Sequence, residues 1–375
     1  MKVNYFTFLI LVFINSCGQK STVEVGLPKI EQISISISEE QLNSYQVLNS
    51  YSENGTNKLI SYNGARHSLD YFDLDAAKAI KSDKLTSDGP SGVGKIASVY
   101  WHNADSIFIY ERGKVHLLKE GGEKSTTYDL YELFNAKNLG EPVCNFYFKL
   151  KYNGEKKELY FSLIHHKASL EERGTLPLIA SLNLENFSIE ALPIYHTNHY
   201  RDLSGKVGFI TYLGFQDFLR DQMIYNFQYE STLFSYDFDS QKTKQGESHE
   251  MKFVPELFEQ EDPSAFDLHA IENNHFLTSI PDNWRNIVYR GTWDSPDQSL
   301  PESGFTEKKI SISVFDSDLN FLSKFELPNY TYQINNWFVN ENGLYLNYAH
   351  PRNDKVSEGF LVFHVFQFDQ PNGQK

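Results

Sequence analysis

The sequence predicts an all-β chain folded as a six-bladed β-propeller, with the ring closed by an N-terminal strand that pairs with the last blade. Aromatic residues make up 15% of the chain, with 29 Phe and 23 Tyr, and aromatic side chains favour strands. Short runs of aromatic and β-branched residues are separated by Asn-Gly, Asp-Gly or charged turns. These runs recur in pairs about every 45 to 70 residues, a period typical of propeller blades.

Each predicted blade is marked by one pair of strand-like runs, and the pairs follow one another along the chain. Three of the second runs carry an aromatic residue followed by aspartate at or near their end, which is typical of a strand that enters a turn. In chain order, the pairs are residues 58–62 with 68–74, 105–110 with 114–118, 158–163 with 178–184, 222–227 with 232–238, 275–280 with 310–316, and 343–348 with 360–366.

The first predicted strand stands apart from these pairs. Residues 33–37 read Ile-Ser-Ile-Ser-Ile, a strict alternation that places isoleucines on one face of a strand and serines on the other. We expect this strand to pair beside residues 360–368 and so to complete the last blade, which would leave no exposed sheet edge. A stack of β-sandwich domains is the alternative, although nothing between the pairs resembles a domain linker.

The N-terminus predicts a lipoprotein signal peptide over residues 1–16. Lys2 precedes a short apolar run, residues 6–14, which has the length of a signal-peptide core and is too short to span a bilayer. The following Ile-Asn-Ser-Cys, residues 14–17, resembles the bacterial lipobox. That resemblance implies cleavage before Cys17 and attachment of lipid, palmitate included, to Cys17. An ordinary signal peptide with an incidental cysteine and an uncleaved anchor helix are the alternatives.

The sequence therefore predicts a signal peptide (1–16), a lipidated tether (17–29) and one propeller domain (30–375). Two acyl chains or more anchor a protein stably, so we expect the chain to be held at a membrane of the cell envelope. The outer membrane is favoured, and the face on which the domain lies stays open. With lipid on Cys17, Cys144 has no cysteine partner, and its apolar surroundings in sequence predict a buried structural thiol.

The charge of the chain limits its partners. The formal net charge is −15, and no basic stretch of the kind that follows a phosphate backbone is present. Nucleic acid is therefore not expected as a partner. The lipid, and not surface charge, would bring the protein to an anionic membrane.

Residues 86–94 (Thr-Ser-Asp-Gly-Pro-Ser-Gly-Val-Gly) and 103–108 (Asn-Ala-Asp-Ser-Ile-Phe) carry a resemblance to a known family. They are similar to the glycine-rich turn and the following strand of six-bladed propeller lipoproteins of Bacteroidota, the family of domain of unknown function 4221. Ser91 stands where asparagine is common. The resemblance implies the fold and the compartment over nearly the whole chain. It implies no catalytic residue, because the family has no established activity.

The glycines at positions 89, 92 and 94 do not form a phosphate loop, because Lys95 is followed by Ile96 and not by Ser or Thr. We interpret this segment as a turn that leads into the second blade. A backbone nest for an anion is the alternative.

No metal site, cofactor or catalytic residue is predicted. His165, His166, His196 and His199 lack a zinc-binding spacing, and loop histidines are the simpler interpretation. Acidic residues in turns suggest calcium, but they do not complete an EF-hand loop, and capping of turns is the simpler role. They are Asp70, Asp73, Asp75, Asp316 and Asp318.

The candidate ligand-binding residues lie in predicted loops of the last third of the chain. Trp with Arg, Asn or His offers flat apolar faces together with directional hydrogen bonds, which suits a sugar or peptide groove. The alternative is that these tryptophans pack between blades. The candidates are Trp284, Arg285, Trp293, His350 and Arg352.

The sequence thus favours an envelope lipoprotein whose propeller is a non-catalytic binding or scaffold module for a protein, peptide or glycan. The alternative is a propeller hydrolase or lyase with a metal or carboxylate site at the central channel. Three or more His, Asp or Glu side chains at one end of that channel would favour the enzyme. A channel lined by Phe, Tyr and small residues would favour binding, and the fold by itself decides nothing because propellers host both.

Overall fold

The computed structural model describes residues 27–199, 213–246, 268, 271–294, 308–334 and 336–368. In these ranges the regular secondary structure is mostly antiparallel strand, and α1 (Leu130–Asn135) and α2 (Leu170–Arg173) are short helices. Among the described residues, no helix is long and apolar enough to cross a bilayer. Residues 1–26, which hold the predicted signal peptide, Cys17 and most of the tether, lie outside the described residues.

The strands follow one another as short antiparallel meanders. In chain order they are β1 (Lys29–Ser36), β2 (Leu48–Glu53), β3 (Thr56–Asn63), β4 (Ser68–Asp73), β5 (Lys78–Lys84), β6 (Ile96–Asn103), β7 (Ser106–Glu111), β8 (Lys114–Leu118), β9 (Lys124–Asp129), β10 (Glu141–Val143), β11 (Lys151–Asn153), β12 (Glu158–Ile164), β13 (Ile179–Asn183), β14 (Ile189–Ala191), β15 (Leu213–Leu219), β16 (Gln222–Phe227), β17 (Leu233–Asp237), β18 (Lys242–Gln245), β19 (His275–Asp282), β20 (Ile287–Asp294), β21 (Lys309–Asp316), β22 (Phe321–Glu326), β23 (Phe338–Asn340), β24 (Gly343–Asn347) and β25 (Phe360–Gln367).

These strands form propeller-type units, and in most of them the strands that are neighbours in the sheet are also consecutive in the chain. Three sheets have four strands each, β6–β9, β15–β18 and β19–β22, and a fourth sheet contains β10–β14. An eight-stranded sheet holds a run β2-β3-β4-β5 and a run β1-β25-β24-β23, joined by a single parallel pairing of Ser36 with Lys78. Sequential meanders with few local helices are the arrangement expected for a propeller-like all-β chain.

The predicted pairing of the first strand is present. Strand β1 runs antiparallel to β25, with Ile33 opposite Phe363 and Ile35 opposite Leu361. Ile35 is buried in a cluster with Phe363 and Leu361, whereas the serines of the same strand lie toward the other face. The alternation of Ile and Ser therefore directs one face of β1 into the core.

One predicted pair is wrong. Residues 275–280 and 310–316 lie in β19 and β21, which do not pair directly, because β20 lies between them and hydrogen-bonds to both. The segment 291–294, expected as a loop, is the end of β20. Arg290 and Gly291 interrupt its apolar pattern, although the strand is buried over most of its length.

The strands of each unit differ in burial from first to last. The middle strands, such as β16 and β24, are buried at nearly every position. The last strands, such as β5 and β18, alternate or are exposed throughout. Aromatic side chains fill the space between units, as where Phe148 packs on Phe215 with ring centroids 5.0 Å apart. Cys144 is buried in the same cluster, and burial raises the pKa of its thiol well above the usual range, as expected for a structural cysteine.

The glycine-rich segment that carries the family resemblance is a closed turn before β6. The amide of Gly92 donates to the carbonyl of Gly89 (2.9 Å), and the amide of Val93 donates to the carbonyl of Thr86 (2.8 Å). The amide of Gly94 donates to the carboxylate of Glu111 on β7. These amides have partners within the chain, so the turn interpretation is confirmed and the segment is not an open anion nest.

We expect Gly92→Ala to destabilise the protein by about 1–3 kcal/mol, because overpacking costs that much. A Cβ atom there would lie 2.8 Å from the carbonyl oxygen of Ser87 and 3.0 Å from that of Gly89, both backbone atoms. Urea unfolding followed by circular dichroism measures the loss. Gly359→Ala is the matched control, because its Cβ would meet no atom within 4 Å. Equal midpoints for the two variants would show that the turn has no such steric requirement.

Candidate functional site

A cavity of about 110 Å³ lies among the first strands of the units. Its walls come from β2, β6, β11 with the residues before it, β15, β19 and β23, so every unit contributes to one space. We call this space the central cavity. A water molecule needs about 10–15 Å³ by this measure, which gives room for roughly seven to eleven waters or one small molecule.

Two lysines form the positive part of the central cavity. Lys149 and Lys151 both line it, and residues two apart in an extended chain project to the same side. The chain is fixed at this point by neighbouring first strands: the amide of Lys149 donates to the carbonyl of Phe215, and the amide of Leu150 donates to the hydroxyl of Ser98, each at 2.9 Å.

Lys151 is balanced by a carboxylate across the cavity. Its ammonium nitrogen lies 2.5 Å from Oδ1 of Asp217 on β15, and 4.9 Å from the centroid of the Tyr100 ring. Burial acts to lower the pKa of Lys151, but Asp217 outweighs this effect and the pKa lies above its ordinary value. Lys151 is therefore a charged, paired group at neutral pH.

Lys149 has no such partner. Among the described residues its ammonium has neither a hydrogen bond nor an ion pair, and burial alone lowers the pKa of Lys149 to about 8. At neutral pH the group is still mainly protonated. The central cavity thus holds one positive charge that no described residue neutralises.

Polar amides and an indole complete the central cavity. Gln216 donates through Nε2 to the carbonyl of Trp337 (2.9 Å), which directs its amide while leaving the amide oxygen for another partner. Asn49 accepts from the amide of Trp101 (2.9 Å) through Oδ1, and its NH₂ group remains a donor. Trp284 lines the mouth in the turn between β19 and β20, with 48% of its surface exposed.

The structure does not bring the sequence-predicted binding residues together. Trp284 lies at the central cavity, whereas Trp293 lies at the other end of β20, roughly 20 Å away along the strand. Trp293 packs instead against Lys308, whose ammonium is 4.8 Å from the ring centroid. His350 and Arg352 lie on the loop after β24 and pack on Tyr330, with His350 5.5 Å and Arg352 5.8 Å from that ring.

Arg285, beside Trp284, is a structural residue in this arrangement. Its guanidinium donates to Oδ2 of Asp282 (2.9 Å), to the carbonyl of Asn340 (3.2 Å) and to the carbonyl of Glu341 (2.5 Å). These contacts connect the β19–β20 turn to the next turn, between β23 and β24. The donors are directed into the protein and not into the central cavity.

The sequence prediction missed Lys149, Lys151 and Asp217. A signal for the two lysines was present in Phe-Lys-Leu-Lys-Tyr, residues 148–152, where lysines alternate with apolar side chains in a strand that would otherwise be fully apolar. A charged group at such a position is rarely buried unless it is paired or faces a cavity. Asp217 carries no comparable signal in its surroundings.

Two of the acidic residues considered for calcium, Asp73 and Asp316, cap turns. The turn-capping interpretation is wrong for Asp70, which is completely buried in β4 and accepts from the hydroxyl of Tyr45 (2.7 Å), while Asp318 forms an ion pair with Lys244 (2.7 Å). Asp73 accepts from the amide of Ala76 (2.8 Å), Asp75 from that of Asn57 (2.8 Å), and Asp316 from those of Asp318 and Asn320 (2.9 and 2.8 Å). In the described part of the chain, no group of three or more His, Cys, Asp or Glu side chains is placed to hold a metal ion.

Comparison with known proteins places these features in a family context. The family model described as "Domain of unknown function (DUF4221)" matches residues 25–323. A DUF4221 family member from Bacteroides vulgatus has a similar crystal structure, with a TM-score of 0.79 and 17% identity over 93% of this chain and 99% of that one. The chain has no significant match among curated proteins.

A second solved structure is similar at lower score. It is a protein from Bacteroides fragilis that is predicted to be exported, with a TM-score of 0.58 and 10% identity over 91% of this chain and 96% of that one. At 17% and 10% identity, these two similarities show the fold alone.

Proposed function

The chain belongs to the family described as domain of unknown function DUF4221, and we propose that it is a lipid-anchored, non-catalytic binding module of the bacterial cell envelope. Its propeller would hold a ligand in the central cavity. The observation that carries the proposal is the cavity itself, which combines an exposed indole, directed amides and an unneutralised lysine. Concave sites with a few placed polar groups are the usual form of small-ligand sites.

The proposal includes a ring of six blades. The units β2–β5, β6–β9, β10–β14, β15–β18 and β19–β22 are five of them, and β23, β24, β25 and β1 form the sixth. The contribution of all six units to one cavity supports this ring. Closure through β1 would join strands from near both ends of the described chain in one blade.

Binding is favoured over hydrolysis or elimination by the charges of the cavity. Asp217 is the carboxylate among the described lining residues, and it is engaged by Lys151. General acid–base catalysis by two carboxylates needs a second such group within reach. Lysines, amides and aromatic rings bind and orient a ligand without that requirement.

The binding role can be tested by thermal unfolding of the full chain in detergent against neutral and acidic sugars, short peptides and simple salts. A ligand at about 100 times its dissociation constant stabilises the folded state by about 2.7 kcal/mol. We expect at least one class to raise the midpoint, and the same ligand to lose most of its effect on Trp284→Ala. A midpoint unmoved by every class, or an unchanged effect on Trp284→Ala, would contradict binding at this cavity.

Anchoring gives a separate prediction. We expect Cys17→Ala to abolish lipid attachment and to move the protein from the membrane fraction to the soluble envelope fraction, because the thiol that accepts the lipid is lost. Fractionation with immunoblotting, and metabolic labelling with an alkyne fatty acid, measure the change. Cys144→Ala is the matched control and should stay anchored. A Cys17→Ala protein that remains in the membrane fraction would contradict the lipobox interpretation.

A further inference from the structure

We propose that Lys149 forms an anion subsite in the central cavity, and that the ligand is a small polar molecule carrying one carboxylate group. This inference rests on the proposed binding function and specifies its ligand. The carboxylate would accept hydrogen bonds from the Lys149 ammonium, and the neutral remainder would lie between the amides and Trp284.

The charge balance of the central cavity points to an anion. The chain as a whole carries a formal charge of −15, yet this space holds two lysines and one aspartate. Lys151 and Asp217 neutralise each other at 2.5 Å. Lys149 is left as a half-buried cation with no partner among the described residues, and a cation partly removed from water is costly unless an opposite charge joins it. A bound anion supplies that charge.

One negative charge matches the site better than two. A single carboxylate neutralises Lys149, whereas a phosphate dianion would place its second charge near Asp217, where Lys151, the other cation among the lining residues, is already paired. The volume also limits the ligand to about the size of one sugar ring or a small acid. The exposed face of Trp284 suits the apolar face of a sugar ring, and Asn49 and Gln216 offer a donor and an acceptor for hydroxyl groups. Galacturonate therefore combines the required features and serves as the probe.

The subsite has an expected pH dependence. The titratable groups that line the central cavity are Lys149, Lys151, Asp217, Tyr51 and Tyr100. The pKa of Lys149 is about 8, that of Lys151 is raised above its ordinary value, and that of Tyr51 is raised by burial. Between pH 7 and pH 9.5 Lys149 is therefore the group that loses its charge. Affinity for a carboxylate should fall as the pH rises through this range, because Lys149 loses its proton. Binding of the anion favours the protonated lysine and should therefore raise the pKa of Lys149.

The test is isothermal titration of the full chain in detergent with galacturonate, galactose, acetate and inorganic phosphate. We expect galacturonate to bind more tightly than galactose, and acetate to compete with it. Lys149→Met should weaken galacturonate binding by about 10- to 100-fold, since a hydrogen bond to a charged group is lost. Lys149→Arg should retain most of the affinity, and Lys137→Met, at an exposed position, should leave it unchanged.

Four outcomes would overturn the subsite. They are equal binding of galacturonate and galactose, equal binding by wild type and Lys149→Met, tighter binding of phosphate than of galacturonate, and no binding of either carboxylate at about 100 mM, where even millimolar affinity would be detected. In each case a neutral sugar or peptide that still depends on Trp284 would leave the binding function standing. If Lys149→Met unfolds, the Lys149→Arg variant and the pH profile of the wild type decide.

Discussion

Asp282→Ala should destabilise the protein by about 3–5 kcal/mol, because it removes one partner of a buried ion pair and leaves the other charged. Asp282 is completely buried at the end of β19, and its carboxylate lies 2.9 Å from the Arg285 guanidinium. It also accepts from the hydroxyl of Tyr289 (3.0 Å) and from the amides of Trp284 and Arg285 (3.0 and 2.9 Å). The substitution leaves all of these donors without their acceptor.

The effect should extend beyond stability, because the same carboxylate sets the turn that carries Trp284. Without it, Arg285 loses the group that aims it at the carbonyls of Asn340 and Glu341. We therefore expect Asp282→Asn, which keeps the shape but not the charge, to lie between wild type and Asp282→Ala in urea unfolding. Any ligand that depends on Trp284 should bind both variants more weakly.

Asp237→Ala is the matched control for this experiment. Asp237 ends β17 in a similar turn and accepts from the amide of Ser240 (2.7 Å), but it is only half-buried and no arginine pairs with it among the described residues. Its loss should cost about 1 kcal/mol, as for a capping group. Equal losses for Asp237→Ala and Asp282→Ala would show that the buried ion pair adds nothing to the turn.

The parts of the fold that could be predicted from the sequence are those in which burial leaves a simple pattern. The middle strands of the units, such as β3, β7 and β16, are buried on both faces and therefore read as aromatic and β-branched runs. The outer strands β5 and β18 are rich in lysine because one or both faces meet water, so they resemble loops in the sequence.

Strand β20 could not be recognised from the sequence for a different reason. It buries Arg290 among Phe276 and Phe315, and a fully buried arginine is a poor signal for a strand.

The candidate site was less predictable, because it is assembled by contacts between distant strands. Lys151 and Asp217 are 66 positions apart and meet only because the first strands of neighbouring units hydrogen-bond to each other, as Phe148 and Phe215 do. Trp284 was within reach of sequence reasoning, since a tryptophan in a polar turn is exposed more often than one in a strand. Arg285 was interpreted as a binding residue from the same turn, but sequence could not show that backbone carbonyls of the following unit occupy its donors.

Glycine residues also allow strands of neighbouring units to approach each other closely, which the composition of the chain does not reveal. A Cβ at Gly214 would lie 3.1 Å from the Cα of Thr278, so β15 and β19 come together there only because no side chain intervenes. The position of Asp217, three residues further along β15, depends on this approach. The chemistry of the central cavity is thus a consequence of strand packing as much as of the charged residues themselves.

Trp337→Ala should be the most destabilising substitution of a single apolar side chain, with an expected loss of about 3–5 kcal/mol. Trp337 is 1% exposed and packs in the cluster formed by the units β19–β22 and β23–β25. Its indole nitrogen donates to the carbonyl of Gln333 (2.7 Å), so the substitution leaves both a cavity and an unpaired acceptor. Thermal and urea unfolding should both report the loss.

Trp284→Ala gives the matched comparison, because the same atoms are removed from a half-exposed side chain. Its stability should change by no more than about 0.5–1 kcal/mol, as is usual for surface positions. Comparable losses at the two sites would contradict the assignment of Trp337 to the core and of Trp284 to the mouth of the central cavity.

The contact of Trp337 with Gly291 supplies an independent check on this assignment. A Cβ at Gly291 would lie 2.7 Å from Cζ3 and 2.9 Å from Cη2 of the indole, so Gly291→Ala should be destabilising in the wild type. Trp337→Phe removes the outer part of the indole and should make Gly291→Ala less costly. A coupling of about 0.5–3 kcal/mol in this double-mutant cycle is expected for residues in direct contact. Because the carbonyl of Trp337 also holds Gln216 in the central cavity, the same packing that stabilises these two units fixes an amide of the proposed binding site. Additive effects would show that the indole does not pack on β20.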